Sequence, residues 1–200
     1  YFSGTKIEWL IRHGGVDPTR AAFGTVDSWL VHKLTGRHAT DYSNASRTLL
    51  FDIAKLVWDP ELCELLGIPV ESLPEACPSA HVYGLTTEFG GSVPVAGIAG
   101  DQQAALYGQG CHAPGLGKNT YGTGSFVLLN AGPAPPPPEE GLLTTVAWGV
   151  DGRADYALEA AIFVTGAAVQ WLRDGLGIIA NAAETEELAR SLDANDGVYL

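Results

Sequence analysis

Residues 93–107 read VPVAGIAGDQQAALY, and this stretch decides the fold class. Val93 to Ala99 are apolar or small and predict a buried strand, and Asp101 to Tyr107 follow at once and predict a helix. A carboxylate at the start of a helix, directly after a buried strand, lies where open α/β sheets bind ligands. The stretch therefore predicts an α/β fold with a site near Asp101.

The sequence leaves two roles open for Asp101. Its carboxylate can accept a proton from a hydroxyl group that is becoming a nucleophile. Aspartate is also among the best helix N-cap residues, and from physical chemistry alone this structural role is the favoured one. The two roles are compatible only if the carboxylate keeps one oxygen free.

A second cluster is the run NTYGTGSF at residues 119–126, which precedes a strand predicted over Ser125–Asn130. Backbone N–H groups and hydroxyls in such a glycine-rich loop can approach a phosphate group closely. The Gly-Lys-Ser/Thr of a P-loop does not follow. A β-hairpin turn explains the spacing equally well.

A third cluster is the small-residue run Gly166-Ala167-Ala168, within a helix predicted over Ile162–Leu172. Small residues near a helix start permit the close approach of a nucleotide. They also permit close packing of the helix, which is the commoner cause.

The remaining pattern mixes helices and strands. Apolar periodicity predicts helices over 5–13, 23–34, 60–66 and 182–192, and strands over 142–150 and 154–158 joined by a turn at Asp151-Gly152. Residues 78–92 are rich in turn formers and predict irregular structure, and the proline run 135–138 predicts an exposed loop. Glycines around 109–117 predict a linker.

Composition excludes several classes of function. The net charge is −12, from 11 Lys and Arg against 23 Asp and Glu, which argues against a nucleic-acid partner. The three cysteines have neither disulfide nor zinc spacing, so a reducing compartment, the cytoplasm, is expected. The five histidines share no metal-binding spacing. No apolar run is long enough to predict a membrane span.

The ends of the chain lack the features of natural termini. It begins with Tyr1-Phe2, contains no Met, and ends on the apolar run Val198–Leu200, which resembles the opening of a strand. We therefore expect an internal fragment of a longer protein.

Segments along the whole chain resemble the glycerol kinases of the FGGY family of carbohydrate kinases. In chain order they are residues 1–6 (YFSGTK), 23–27 (FGTVD), 40–48 (TDYSNASRT), 100–105 (GDQQAA), 118–124 (KNTYGTG), 141–145 (GLLTT) and 170–174 (QWLRD). The sequences of residues 100–105 and 118–124 resemble those of glycerol kinases more than those of the pentulose kinases of the family.

The resemblance implies an actin-like, ribonuclease-H-like kinase of two domains with the active site in the cleft between them. This chain would span the end of the first domain and the start of the second. Residues 1–108 would be the polyol side, 109–117 the linker and 118–200 the nucleotide side.

The resemblance also implies roles for single residues. Asp101 would be the base that faces the glycerol hydroxyl, with Gln102 beside it. The other implied contacts are Tyr1 and Phe126 for the glycerol carbon chain, and Thr123, Gly166 and Gln170 for ATP or ADP.

The implied activity is the phosphorylation of glycerol to sn-glycerol 3-phosphate, the first step of glycerol catabolism, with ATP and Mg²⁺. No metal ligand is assigned to this chain, because the family's phosphate loop with its acidic residue is not in it. We expect the fragment alone to be inactive. A kinase for another polyol or sugar, and a non-catalytic homologue that binds a polyol or nucleotide, remain alternatives, and homo-oligomer formation is left open.

Overall fold

The computed structural model describes residues 2–198. Its helices are α1 (Ser3–His13), α2 (Val26–Thr35), α3 (Tyr42–Ala45), α4 (Pro60–Leu65), α5 (Asp101–Gly108), α6 (Gly166–Asp174) and α7 (Glu184–Arg190), with one 3₁₀ turn at Val70–Ser72. Its strands are β1 (Ala39–Asp41), β2 (Phe51–Asp52), β3 (Val57–Trp58), β4 (Glu75–Cys77), β5 (Ala80–Thr86), β6 (Val93–Gly97), β7 (Gly117–Tyr121), β8 (Ser125–Gly132), β9 (Leu143–Val150) and β10 (Arg153–Ile162). The mixture confirms the predicted class.

A four-stranded antiparallel sheet in the order β7-β8-β10-β9 forms the second part of the described chain. The turn between β9 and β10 is the predicted one, with Asp151 at φ 52° and Gly152 at φ 75°. Positive φ at both central residues is what a type I′ hairpin turn requires, and Asp-Gly is among the sequences that adopt it most readily. Local chemistry therefore fixes the register next to the turn, and the register then shifts by one residue between Asp155 and Tyr156.

Smaller strand pairs organise the first part of the chain. β1 and β4 are parallel, whereas β2 pairs with β3 and β5 with β6 in antiparallel fashion. One apolar core joins α1 and α4 to the intervening loops, and its buried members are Ile7, Phe23, Leu50, Cys63, Ile68 and Leu73. A second core lies beneath α2 and consists of Val31, Ala39, Cys77 and Tyr83.

Helix α5 packs on the four-stranded sheet, and this contact positions the candidate site. Leu106 of α5 is fully buried in one cluster with Leu128 of β8, Ala147 of β9 and Ala157 of β10. Because α5 begins at Asp101, the packing of its last turn fixes where that carboxylate stands relative to the sheet.

Three sequence predictions are wrong. Residues 78–92 contain β5, because pairing with β6 imposes a strand on a segment rich in turn formers. The strand predicted over 93–99 exists as β6 but is not buried, since within residues 2–198 it pairs with β5 alone. The helix predicted from Ile162 begins at Gly166, because Ile162 still pairs with Ser125 in the sheet.

The other predicted elements are present. Helices occupy the four remaining predicted segments with ends shifted by a few residues, as α1, α2, α4 and α7. The proline run 135–138 has no regular secondary structure and is mostly exposed. The segment expected to be a linker, 109–117, lies between α5 and β7, and its last residue opens β7.

Candidate active site

Asp101 is the first residue of α5, and Gly100 occupies the N-cap position before it. No side chain caps this helix, and Asp101 is exposed. Its Oδ2 accepts a hydrogen bond from Nε2 of Gln102 at 3.0 Å. The N-cap explanation of Asp101 is therefore wrong, and the carboxylate has no helix-capping duty.

The turn before Asp101 rests on a buried polar cluster. The Gly100 amide donates to Oγ of Ser43 at 2.8 Å, and that hydroxyl donates to Oδ2 of Asp41 at 2.7 Å. Asp41 also caps α3 by accepting from the Ser43 and Asn44 amides, and it accepts from the Ser79 hydroxyl at 2.6 Å. Burial raises the pKa of Asp41 above its ordinary value, and the hydrogen bonds only partly oppose this.

Gly100 approaches the side chain of Gln103 closely. A Cβ at this position would lie 2.5 Å from Oε1 of Gln103. Gln103 is buried and donates from Nε2 to Oγ1 of Thr145 in β9 at 3.0 Å. The start of α5 is thus tied both to α3 and to the sheet.

Gln102 uses both ends of its amide. Nε2 donates to Asp101, and Oε1 accepts from Nζ of Lys118 in β7. The Lys118 ammonium also donates to Oγ1 of Thr120 at 2.8 Å and to the carbonyl oxygen of Phe126 at 3.2 Å. Lys118 therefore contacts Gln102 and the main chain of Phe126 directly, and it is linked to Asp101 through Gln102. Gln102, Phe126 and Asp101 are all residues predicted to face the polyol.

Phe126 lies on β8, opposite Thr120 of β7 and Ala161 of β10. Its half-buried ring packs against the apolar cluster that includes Leu106 of α5. The link from Phe126 to the residues around Asp101 is its carbonyl oxygen, which accepts a hydrogen bond from Nζ of Lys118. Tyr1, the other predicted contact to the carbon chain, lies outside the described residues.

The predicted nucleotide contacts Thr123 and Gly166 meet where the β7–β8 turn touches the start of α6. The Thr165 and Ala167 amides donate to the carbonyl oxygen of Thr123 at 3.0 and 3.1 Å, and the Gly166 amide donates to that of Gly122 at 3.0 Å. Residues 119–126 form a β-hairpin turn, since Thr120 pairs with Phe126 and Tyr121 with Ser125, as one of the two explanations of this run predicts. The first amides of α6 bind this turn.

Gly166 is required by that contact, because a Cβ there would lie 2.3 Å from the carbonyl oxygen of Gly122. The close-packing explanation of the small residues at 166–168 holds at this position. Gly166 and Gln170 are four residues apart on α6 and line one cavity of about 320 Å³, together with Val169, Arg173 and Ala182. A cavity of this size lies at the lower end of the range for small-molecule sites.

Arg173 lies at the edge of this cavity and forms a bidentate pair with Asp174, with Nε–Oδ1 at 2.6 Å and Nη2–Oδ2 at 2.8 Å. The hydrogen bonds from Arg173 lower the pKa of Asp174 below its ordinary value. Both side chains are exposed, so the pair leaves the arginine accessible from solvent.

Polar contacts join the first part of the chain to the sheet. The Ser46 and Thr145 hydroxyls are 2.8 Å apart, and the Gly149 amide donates to the Ser79 hydroxyl at 3.1 Å. These bonds fix the segment around α3 against β9, so the site residues of α5 and β8 belong to one packed unit.

Models of two family domains match this chain. The N-terminal domain of the FGGY family of carbohydrate kinases matches residues 1–108, and its C-terminal domain matches residues 117–199. The chain belongs to the FGGY family. The predicted actin-like kinase fold is thereby confirmed.

Curated FGGY relatives match the whole chain. Glycerol kinase 2 of Thermotoga maritima is 58% identical over 208 residues, and the glycerol kinase of Oceanobacillus iheyensis is 54% identical over 210 residues. Each match covers 100% of this chain and 42% of the relative. The chain therefore spans less than half the length of these FGGY relatives.

Solved FGGY structures agree with the fold. The Plasmodium falciparum glycerol kinase with ADP is 34% identical, has a TM-score of 0.86, and is matched over 96% of this chain and 40% of its own. A xylulose kinase from Rhodospirillum rubrum, 24% identical with a TM-score of 0.77, is matched over 94% and 39% and shows the shared fold alone.

The described part of this FGGY chain contains neither a group of metal-binding side chains nor a helix that could span a membrane. Within residues 2–198, no group of three or more His, Cys, Asp and Glu side chains could hold a metal ion. None of the helices described for that range has the length and apolar character needed to span a membrane.

Lys118 is the site residue that the sequence interpretation of this FGGY chain missed. It stands inside the run 118–124 that carries the family resemblance, but no role followed from the run alone. Strand alternation places Lys118 and Thr120 on one face, but only the register of β7 against β8 shows that this face meets Leu128 and Phe126. A lysine that faces such apolar neighbours is buried and needs partners.

Proposed function

We propose that the full-length protein transfers the γ-phosphoryl group of ATP to a terminal hydroxyl of glycerol and forms sn-glycerol 3-phosphate. The observation that carries this proposal is the Asp101 carboxylate. It is exposed at the start of α5, makes no helix-capping hydrogen bond, and accepts a hydrogen bond from Gln102. Relatives named glycerol kinases that are more than half identical over the whole chain support glycerol as the substrate.

In this proposal Asp101 accepts the proton of the attacking hydroxyl, and Gln102 binds the polyol beside it. The ring of Phe126 borders the carbon chain, as would Tyr1. A carboxylate within reach of the hydroxyl provides general-base catalysis, and most of the remaining rate comes from holding the reactants in line.

The nucleotide would bind along α6, where Gly166 and Gln170 line the cavity and the turn with Thr123 meets the helix. We accordingly propose that residues 1–108 serve the polyol side and 118–200 the nucleotide side, with 109–117 between them.

Mg²⁺ is part of the proposed reaction but is not supported by the described residues. In residues 2–198 no group of acidic side chains fits a metal ion. No step is therefore assigned to the metal ion.

Because the proposed donor is ATP and Cys63, Cys77 and Cys111 are free thiols, we also propose a cytoplasmic location.

Two alternatives are tested by one substrate profile of the full-length protein. Glycerol, xylulose and gluconate would each be supplied with MgATP, and kcat/KM would be measured for each. We expect glycerol to give the highest value. Phosphorylation of xylulose with glycerol untouched would indicate another FGGY kinase, and ADP binding with no phosphoryl transfer would indicate a non-catalytic homologue.

A further inference from the structure

Lys118 is a buried cation beside the candidate site, and nothing in the proposed function yet uses it. It is 3% exposed. On the sheet it stands opposite Leu128, which in turn stands opposite Glu159. Residues in such a row share one face of the sheet, and Leu128 packs against Leu106 of α5 on that face. Lys118 therefore points toward the helix that begins at Asp101.

The ammonium group of Lys118 is fully engaged. It has three hydrogens to donate, and it has three acceptors: Oε1 of Gln102, Oγ1 of Thr120 and the carbonyl oxygen of Phe126. Burial lowers the pKa of Lys118 below its ordinary value, while attraction to Glu159 and Asp101 opposes that effect. A buried charge is tolerated only with such partners.

The chemistry of lysine determines which way the Gln102 amide faces. An ammonium group donates hydrogen bonds and cannot accept them, so the amide end that meets Lys118 must be the oxygen. Nε2 consequently faces Asp101, where one of its hydrogens is donated to Oδ2. Within residues 2–198 no hydrogen bond reaches Oδ1 of Asp101, so that oxygen is available to a substrate.

We propose that Lys118 is a positioning residue that orients Gln102 and, through it, the Asp101 carboxylate toward the polyol. The relay runs from Nζ of Lys118 to Oε1 of Gln102 and from Nε2 to Oδ2 of Asp101. The second hydrogen of Nε2 then binds a polyol oxygen. As the hydroxyl oxygen bonds to the γ-phosphorus and the bond to ADP breaks, the hydroxyl proton passes to Oδ1. This inference rests on the proposed function.

The test is a double-variant cycle in the full-length protein with Lys118→Met and Gln102→Ala. Methionine keeps the length and apolar volume of the lysine stem and removes its donors. We expect Lys118→Met to lower kcat/KM for glycerol by about 10- to 100-fold, the effect of losing a hydrogen bond from a charged group. Most of the loss should lie in kcat, because orientation rather than affinity is lost.

The coupling separates a positioning role from a structural one. If Lys118 acts through Gln102, the double variant should fall no more than about threefold below Gln102→Ala alone. ADP affinity should be unchanged in all variants. Lys55→Met, at an exposed lysine paired with Asp52, is the matched control and should alter nothing.

Losses that multiply in the double variant would overturn the proposal, as would a Lys118→Met enzyme within about twofold of the unsubstituted one. If Lys118→Met fails to bind ADP, Lys118→Leu, which also lacks donors and keeps an apolar side chain, takes its position in the cycle. The proposed function is tested separately by the unsubstituted enzyme. Should that enzyme leave glycerol untouched, the glycerol assignment fails, and the cycle is measured with the sugar that it does phosphorylate.

Discussion

Arg47 and Glu159 are 112 residues apart in the sequence, and Nη2 of Arg47 lies 2.7 Å from Oε1 of Glu159. The Glu159 side chain has no solvent exposure, and its Oε2 has no hydrogen-bond partner among the described residues. The ring of Phe2 lies 4.8 Å from the Arg47 guanidinium. This pair ties the segment after α3 to β10, in the same sheet row as Lys118.

Replacement of Arg47 by Met should destabilise the full-length protein strongly. The variant leaves the buried Glu159 carboxylate without its hydrogen-bonded partner, and breaking a buried pair in this way costs about 3–5 kcal/mol. Urea unfolding at neutral pH measures the loss. Arg12→Met, which breaks the exposed pair with Glu8 on α1, is the control and should cost less than about 1 kcal/mol. Equal losses for the two variants would contradict the prediction.

Elements with a strong local signal could be predicted from the sequence. The Asp151-Gly152 hairpin follows from two residues that tolerate positive φ. The helix after residue 100 follows from a breaker glycine and an apolar periodicity that ends in the buried Leu106. Both signals lie within a few residues of the structure that they specify.

Elements that depend on distant partners could not be predicted. β5 is a strand because β6 pairs with it, although its own sequence is rich in turn formers. The exposure of β6 depends on which segments cover it, and an apolar composition alone cannot say. Strand formation is more dependent on context than helix formation.

The candidate site divides along the same line. The position of Asp101 at a helix start was predictable, but its capping role failed by a single residue, because Gly100 takes the N-cap position. Element boundaries are the least certain part of a prediction from sequence. The role of Lys118 requires the register of β7 against β8, which no local pattern supplies.

Replacement of Gly166 by Ala should separate α6 from the β7–β8 turn. The new Cβ would lie 2.3 Å from the carbonyl oxygen of Gly122, so one of the two segments must move. Such overpacking costs about 1–3 kcal/mol of stability. Because Gly166 and Gln170 line one cavity, ADP binding should weaken by about tenfold or more, measured by calorimetry on the full-length protein.

The control for Gly166 is Gly91→Ala. A Cβ at Gly91 meets no atom within 4 Å, and its φ lies outside the positive range, so stability and ADP affinity should be unchanged. An unaltered ADP affinity in Gly166→Ala would mean that the contact between the turn and α6 does not shape the nucleotide site.

Cys77 should make stability fall at alkaline pH. Burial raises the pKa of this thiol to about 11, from an ordinary value of 9.0. As the pH rises past 9, the unfolded chain therefore loses the proton before the folded protein does, and the free energy of unfolding declines until about pH 11. The full loss would be about 2–3 kcal/mol for this group.

The contribution of Cys77 can be isolated with Cys77→Ala. Burial also raises the pKa values of Tyr42 and Tyr156, so the variant will lose stability in the same direction. The difference in unfolding free energy between the two proteins should shrink between about pH 9 and about pH 11, because only the parent carries the Cys77 thiol. A difference that stays constant over this range would contradict the prediction.

Asp101, the proposed base, and Asp59, a helix cap, allow catalysis and helix capping to be tested separately. Asp59 is a true N-cap, since its Oδ1 accepts from the Glu61 and Leu62 amides at 2.9 and 3.1 Å, whereas Asp101 caps nothing. Asp59→Ala should therefore cost about 1 kcal/mol of stability and leave kcat for glycerol unchanged. Asp101→Ala should instead lower kcat for glycerol and leave the stability nearly unchanged.

The magnitude of the Asp101 effect follows from the proposed proton transfer. Asp101→Asn keeps the shape of the side chain but cannot take the hydroxyl proton, and loss of a general base typically lowers kcat by about a hundred- to ten-thousand-fold. A largely dissociative phosphoryl transfer asks less of its base, so we expect the low end of that range. Steady-state kinetics of the full-length enzyme, with thermal unfolding and ADP titration as controls, measure this. An Asn variant with near-normal kcat would show that Asp101 is not the base. Because Asp101 makes no capping bond, a fall in kcat could not be attributed to the loss of a helix cap.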